Sequence, residues 1–217
     1  MAHYLKQRLY GRDELLADGL VHSVAIVGAL FASGFVLSRA LAGGALQAGA
    51  LAVYVLGLLA MLGFSMAYNL TPHSPLKWVL RRFDHSAIYL MIAGTYTPLL
   101  LQLQNTWFAA MLGAVVWGGA LVGIGIKTLL PGRFDTIAIA AYLLLGWVGV
   151  LAAHAFWQVL PGVTLVLIPL GGLLYSAGVP FYLWERLKFQ NAIWHGFVVA
   201  AAACHFAGIA WLYVGQS

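Results

Sequence analysis

The chain has 217 residues, 63% of them hydrophobic and only 8% charged, with a formal net charge of +5. A soluble domain of this size carries roughly 25% charged residues, so the composition excludes a water-soluble fold and leaves a polytopic membrane protein, whose backbone is satisfied within helices. The basic balance does not indicate nucleic acid, because the eleven Lys and Arg residues fall in short clusters between apolar runs and form no stripe.

Residues 1–16 carry Lys6, Arg8, Arg12, Asp13 and Glu14 and read as a cytoplasmic segment at the membrane surface. Seven apolar runs follow, at about 17–38, 45–70, 86–103, 106–129, 136–156, 162–184 and 191–214, each near the roughly 20 residues that cross a bilayer as helix. Ala40-Leu41-Ala42 resembles a signal-peptide cleavage site. The preceding run from Leu20 to Leu37 is longer than the usual ~7–15 residues, however, and Arg39 stands just before the site, so the first helix is expected to be retained. The expectation is a single all-α domain over residues 1–217, a bundle of seven transmembrane helices with no internal repeat.

All basic residues except Arg39 fall in alternate connecting segments: Lys6, Arg8 and Arg12; Lys77, Arg81 and Arg82; Lys127 and Arg133; Arg186 and Lys188. The positive-inside rule then puts the N-terminus in the cytoplasm and, with an odd span count, the C-terminus outside. Gly119 and Gly123, and separately Gly171, Gly172 and Gly178, offer small faces for helix packing. Pro98, Pro169 and Pro180 are expected to kink or end their helices. The lone Cys204 excludes an internal disulfide and reads as a small core residue.

Polar residues from four distant segments converge at one depth. Glu14, Asp18 and His22 make a stripe with spacing four entering the first span, and Ser65 and Asn69 share a face near the end of the second. Asp84 and His85 open the third span, and Asn191 and His195 open the last. Asp84 is the only acidic residue between Asp18 and Asp135, and a charge at a membrane helix must be paired, hydrated or used. Each residue also has a plainer reading. His22 and His195 fit as hydrogen-bonded bundle histidines, Ser65 as a bond to its own helix backbone, and Asp84 as a partner of Arg81 or Arg82. His73 lies in a Thr-Pro-His-Ser-Pro turn, and His154 and His205 read as structural.

On these residues the chain resembles the bacterial hemolysin III proteins of the progestin and adiponectin receptor (PAQR) superfamily. The matching pieces are Glu14-x3-Asp18-x3-His22, Ser65-x2-Tyr68, Phe83-Asp84-His85-Ser86 with Ile92 to Pro98, Gly171-Gly172-x-x-Tyr175-x-x-Gly178, and Trp194-His195 with Cys204-His205-Phe206. The resemblance implies a multi-pass protein of the bacterial cytoplasmic (inner) membrane. It also implies zinc near the cytoplasmic face, held by three imidazoles at positions 69, 191 and 195, with Ser65 and Asp84 beside it as catalytic groups. Zinc held by three imidazoles leaves a position for an activated water, and the implied reaction is ceramidase-like attack on a lipid amide.

Two of those three positions hold Asn69 and Asn191. A neutral amide oxygen suits calcium or magnesium better than zinc, so the expectation is a degenerate zinc site. Zinc would be kept only if His22, His85 or His73 supplies a replacement imidazole. The function expected is therefore a membrane protein acting in membrane-lipid or membrane-energetic homeostasis. The alternatives are a metal-dependent hydrolase of a lipid amide or ester and, third, a proton or ion conduit. Membrane lipids are the expected partners, and protein partners, a homo-oligomer among them, are left open.

Overall fold

A computed structural model of the chain describes residues 8–215; residues 1–7 and 216–217, Lys6 among them, lie outside the described residues. The fold is all-α. Helices α1 (Arg12–Ala42), α2 (Ala45–Leu70), α3 (Pro75–Leu100) and α4 (Thr106–Leu129) lead to a broken rod. That rod comprises α5 (Asp135–Trp147), a 3₁₀ stretch (Val148–Ala152) and α6 (Ala153–Val159), and α7 (Gly162–Leu183) and α8 (Gln190–Val214) complete the bundle.

Local sequence sets these boundaries. The Gly11 N–H donates to Glu14 Oε2 at 3.0 Å, satisfying a free donor at the start of α1. Ser74 accepts from the Lys77 N–H at 3.3 Å and Pro75 follows it, a hydroxyl cap with proline in the first turn. Lys77 then lays its ammonium on the end of α2, donating to Tyr68 O at 2.7 Å and Thr71 O at 2.8 Å. A cation there complements the negative end of a helix dipole.

Six of these rods are long and apolar enough to cross a membrane: α1, α2, α4, the broken rod over 135–159, α7 and α8. The expectation of a seven-transmembrane bundle is therefore corrected, because α3 does not qualify. The first half of α3 carries Lys77, Arg81, Arg82, Asp84 and His85, and its second half carries Thr95, Tyr96, Thr97 and Pro98. This helix packs broadly on α2 and α4 and also reaches α5 and α8. Its surroundings are protein and cavity, which tolerate polar side chains that hydrocarbon would not. With six candidate spans in place of seven, the count no longer requires the two termini to lie on opposite faces.

Two boundaries also differ. The third run is placed at 86–103 by its apolar residues, yet the helix begins at Pro75, so Asp84 lies inside α3 rather than at its mouth. The fifth run is interrupted by the 3₁₀ stretch, where Tyr96 of α3 intrudes. Its hydroxyl donates to Gly146 O at 2.6 Å and accepts from the Gly149 N–H at 2.7 Å.

The α2–α3 pair forms the centre of the packing, with Leu51, Tyr54 and Ala93 fully enclosed. Two glycines allow it. A Cβ on Gly57 would stand 3.1 Å from Leu90 O, and one on Gly94 would stand 3.2 Å from Val53 O. Backbones this close are the small-residue packing of membrane helices. By contrast α5 touches α3, α4 and α7 only lightly, and Ala138 is its one buried residue. A cavity of about 1090 Å³ opens in the space so left between α3, the broken rod, α7 and α8.

Candidate functional site

The site lies where α1, α2, α3 and α8 meet, near the end of the bundle that bears the basic clusters. Asp18 and His22 sit one turn apart on α1, both 1% exposed, and His195 of α8 is 6% exposed. His195 Nδ1 lies 2.5 Å from Asp18 Oδ1, while its Nε2 lies 3.3 Å from the Ser65 hydroxyl on α2. A carboxylate only accepts, so Asp18 fixes the proton on Nδ1 and leaves Nε2 to accept from Ser65. His22 is held differently: its Nδ1 donates to Asp18 O at 2.9 Å, and its ring meets that of His195 edge-on at 4.4 Å.

The two asparagines are tied to this group and to each other. Asn69 Nδ2 donates to Ser65 O at 2.9 Å and to Ser65 Oγ at 3.3 Å. Asn191 Nδ2 donates to Asn69 Oδ1 at 2.9 Å, and Asn191 Oδ1 accepts from the Tyr10 hydroxyl at 3.0 Å. Both amide oxygens that could face a metal are thus engaged. The positions where the resemblance implies imidazoles do not fit a three-histidine zinc site. What is present is a degenerate metal-binding cluster of Asp18, His22 and His195, whose donor atoms lie within 4.8 Å of one another. Because Asp18 already bonds His195, this cluster is suited at most to weak coordination.

Asp84 faces the same Ser65 hydroxyl from α3. It does not pair with Arg81 or Arg82, because Arg81 donates to Asp135 Oδ2 at 2.6 Å and Arg82 to Thr128 O at 3.4 Å. Of the three histidines that could replace a missing ligand, the fold brings only His22 to the cluster. His85 turns away from it, its Nδ1 4.0 Å from Asp135 and its Nε2 3.9 Å from Asp84. His73 is exposed in the 71–74 turn. Glu14 acts as a structural acceptor, taking hydrogen bonds from Arg8 at 2.7 Å and from the Phe189 N–H at 2.9 Å. Phe189 has a φ of 58° and immediately precedes α8. A bulky residue in that left-handed conformation needs outside support, and Glu14 provides it.

Three contributors are absent from the sequence-derived set. The Tyr10 hydroxyl shares its one proton between Gln190 Oε1 at 2.8 Å and Asn191 Oδ1 at 3.0 Å; it stands four residues before Glu14, one step upstream of the stripe, and that spacing is its signal. Gln190 closes the start of α8 by donating to Tyr182 O. Asp135 joins three helices by accepting from Arg81 and, at 2.7 Å, from the buried Lys127; its position at the first turn of an apolar run gave no indication of that.

From this cluster the cavity runs the length of the bundle. Lys77, Arg81 and Asp135 line it at the basic end, and Leu160, Thr164 and Leu165 line it at the other. His205 Nε2 donates to the backbone at Ile168 O, 3.0 Å away, as a bundle histidine does.

An all-α, multi-pass membrane protein with a degenerate His/Asp cluster opening on an elongated cavity is the class these features define. The chain belongs to the family described as Haemolysin-III related, which matches residues 14–206. It is 40% identical over 149 residues to a "Hemolysin-3 homolog" of Bacillus subtilis (strain 168), covering 69% of this chain and 70% of that one. It is 37% identical over 157 residues to "Hemolysin-3" of Bacillus cereus, covering 72% of each. A human "Monocyte to macrophage differentiation factor" is 29% identical over 171 residues, 76% of this chain and 70% of that one. No solved structure matches.

Proposed function

We propose that this protein binds a membrane lipid, with the polar part of the lipid at the Ser65–Asp84–His195 end and an acyl chain along the rest of the cavity, and that it acts in membrane-lipid or membrane-energetic homeostasis. The single observation carrying this reading is the continuity of one cavity of about 1090 Å³ from that polar cluster to Leu160 and Leu165. Ligand pockets commonly occupy about 300–1,000 Å³, so there is room for a long-chain ligand. The loosely packed α5 leaves a side from which such a molecule can enter.

The basic clusters support placing this end at the cytoplasmic face of the bacterial inner membrane, since described basic residues other than Arg39 gather there. The motif resemblance and the similarity to the animal protein support the wider PAQR relationship. The zinc-dependent cleavage implied by that relationship is disfavoured by the amide pair at positions 69 and 191.

The test is mass-spectrometric identification of lipid extracted from protein purified in mild detergent. The natural chain should retain an acyl lipid, and Leu165→Trp, which narrows the apolar part of the cavity, should lose most of it. Equal lipid content in both proteins, or none in either, contradicts the reading.

A further inference from the structure

We infer that Ser65, His195 and Asp18 form a nucleophile, base and orienting carboxylate that cleave an acyl ester or amide of a membrane lipid without a metal. The inference rests on the lipid-cavity reading above and goes beyond it. Three distances carry it. Ser65 Oγ is 3.3 Å from His195 Nε2, His195 Nδ1 is 2.5 Å from Asp18 Oδ1, and Asn69 Nδ2 is 3.3 Å from Ser65 Oγ.

The order of atoms is that of a serine hydrolase relay, which is recognised by geometry and roles rather than by fold. The buried Asp18 fixes the histidine tautomer, so Nε2 is the acceptor and the Ser65 O–H the donor. Asn69 donates to the same hydroxyl oxygen, so the one hydroxyl proton goes to His195 Nε2 or to the Asp84 carboxylate that faces it, and the relay takes the path to His195. Ser65 and His195 both line the cavity, so a carbonyl group of a bound lipid can reach the hydroxyl.

The step balances without a co-reactant other than water. Ser65 Oγ bonds to the acyl carbonyl carbon while its proton passes to His195 Nε2. The bond from that carbon to the leaving alcohol or amine then breaks, and the leaving group takes the proton. Water next attacks the acyl-serine ester, giving its proton to Nε2. Collapse releases the carboxylic acid and returns the proton to Ser65. Ser65 and His195 are the catalytic residues, and Asp18 is a positioning residue.

The probe is a fluorophosphonate, which phosphonylates an activated serine, applied to the full chain in detergent. An adduct mapped by peptide mass spectrometry to Ser65, insensitive to chelator, is the expected result. Labelling should vanish in Ser65→Ala and His195→Ala. It should slow by roughly 10⁴-fold in Asp18→Asn, the loss typical when the orienting acid is neutralised, and recover in part in Asp18→Glu, a rescue that mere packing would not give. Direct mapping on the natural chain keeps the test decisive even where a variant fails to fold. Absence of an adduct in protein that still carries lipid overturns the relay and spares the cavity reading, whereas absence of both overturns both. Labelling that needs Asp84 but not His195, or that chelator abolishes, also overturns it.

Discussion

Asp18 and His195 are 177 residues apart in the chain, and their side chains meet at 2.5 Å in the buried centre of the polar end. This contact ties the first helix to the last and fixes which ring nitrogen of His195 is free. Among the described residues the second oxygen of Asp18 is buried without a hydrogen-bond partner, so the carboxylate is held for the histidine and not shared among many donors.

Asp18→Ala should therefore cost stability as well as any activity. Hydrogen bonds to a charged group contribute about 1.5–3 kcal/mol, and a loss of that size is expected in thermal unfolding of the purified protein in detergent. An unchanged midpoint would show that the contact does not hold α1 to α8.

Glu14→Gln should loosen the turn between α7 and α8. The variant weakens the acceptor for Arg8 and for the strained Phe189 N–H, so amide exchange over 184–190 should rise while the centre of α2 stays protected. The expected cost is about 1–3 kcal/mol. Equal exchange in the two proteins would remove Glu14 from this role.

Asp135→Asn should be more damaging than its partly exposed position implies. Lys127, 2% exposed, would lose the carboxylate at 2.7 Å. Stranding a buried charge costs about 3–5 kcal/mol. Lys127→Met made together with Asp135→Asn should recover part of that loss, and failure to do so in a thermal melt would refute the pairing.

Gly94→Val tests the α2–α3 contact. A Cβ there meets Val53 O at 3.2 Å and the Tyr54 Cα at 3.3 Å, both backbone atoms that cannot turn aside. Overpacking costs about 1–3 kcal/mol, so the yield of monodisperse protein on size exclusion should fall. A Gly28→Val variant, where no neighbour stands within 4 Å, should behave as the natural chain does.

The helical, membrane-embedded character was legible because apolar runs of spanning length dominate the chain. The convergence of Asp18, His22, Ser65, Asn69, Asn191 and His195 was legible from spacings of four. The span count was not, because hydropathy reads α3 only from Ser86 onward, whereas the helix extends back through Lys77, Arg81 and Arg82 to Pro75. Those residues are matched by protein groups that no linear pattern discloses. The turning of His85 away from Asp84 was legible, since adjacent helical residues point about 100° apart, but its approach to Asp135 was not, because that residue belongs to a different helix far along the chain. Asn69 and Asn191 were recognisable as substitutions, but their mutual hydrogen bond required the fold.

The most direct test of the degenerate metal site is zinc content per chain, measured by mass spectrometry on protein purified without chelator or histidine tag, beside the Asn69→His/Asn191→His double variant. A degenerate cluster predicts well below one zinc per natural chain and near one in the double variant, where two imidazoles replace the bonded amides. Near-stoichiometric zinc in the natural chain would contradict the account and return metal-dependent lipid hydrolysis to first place.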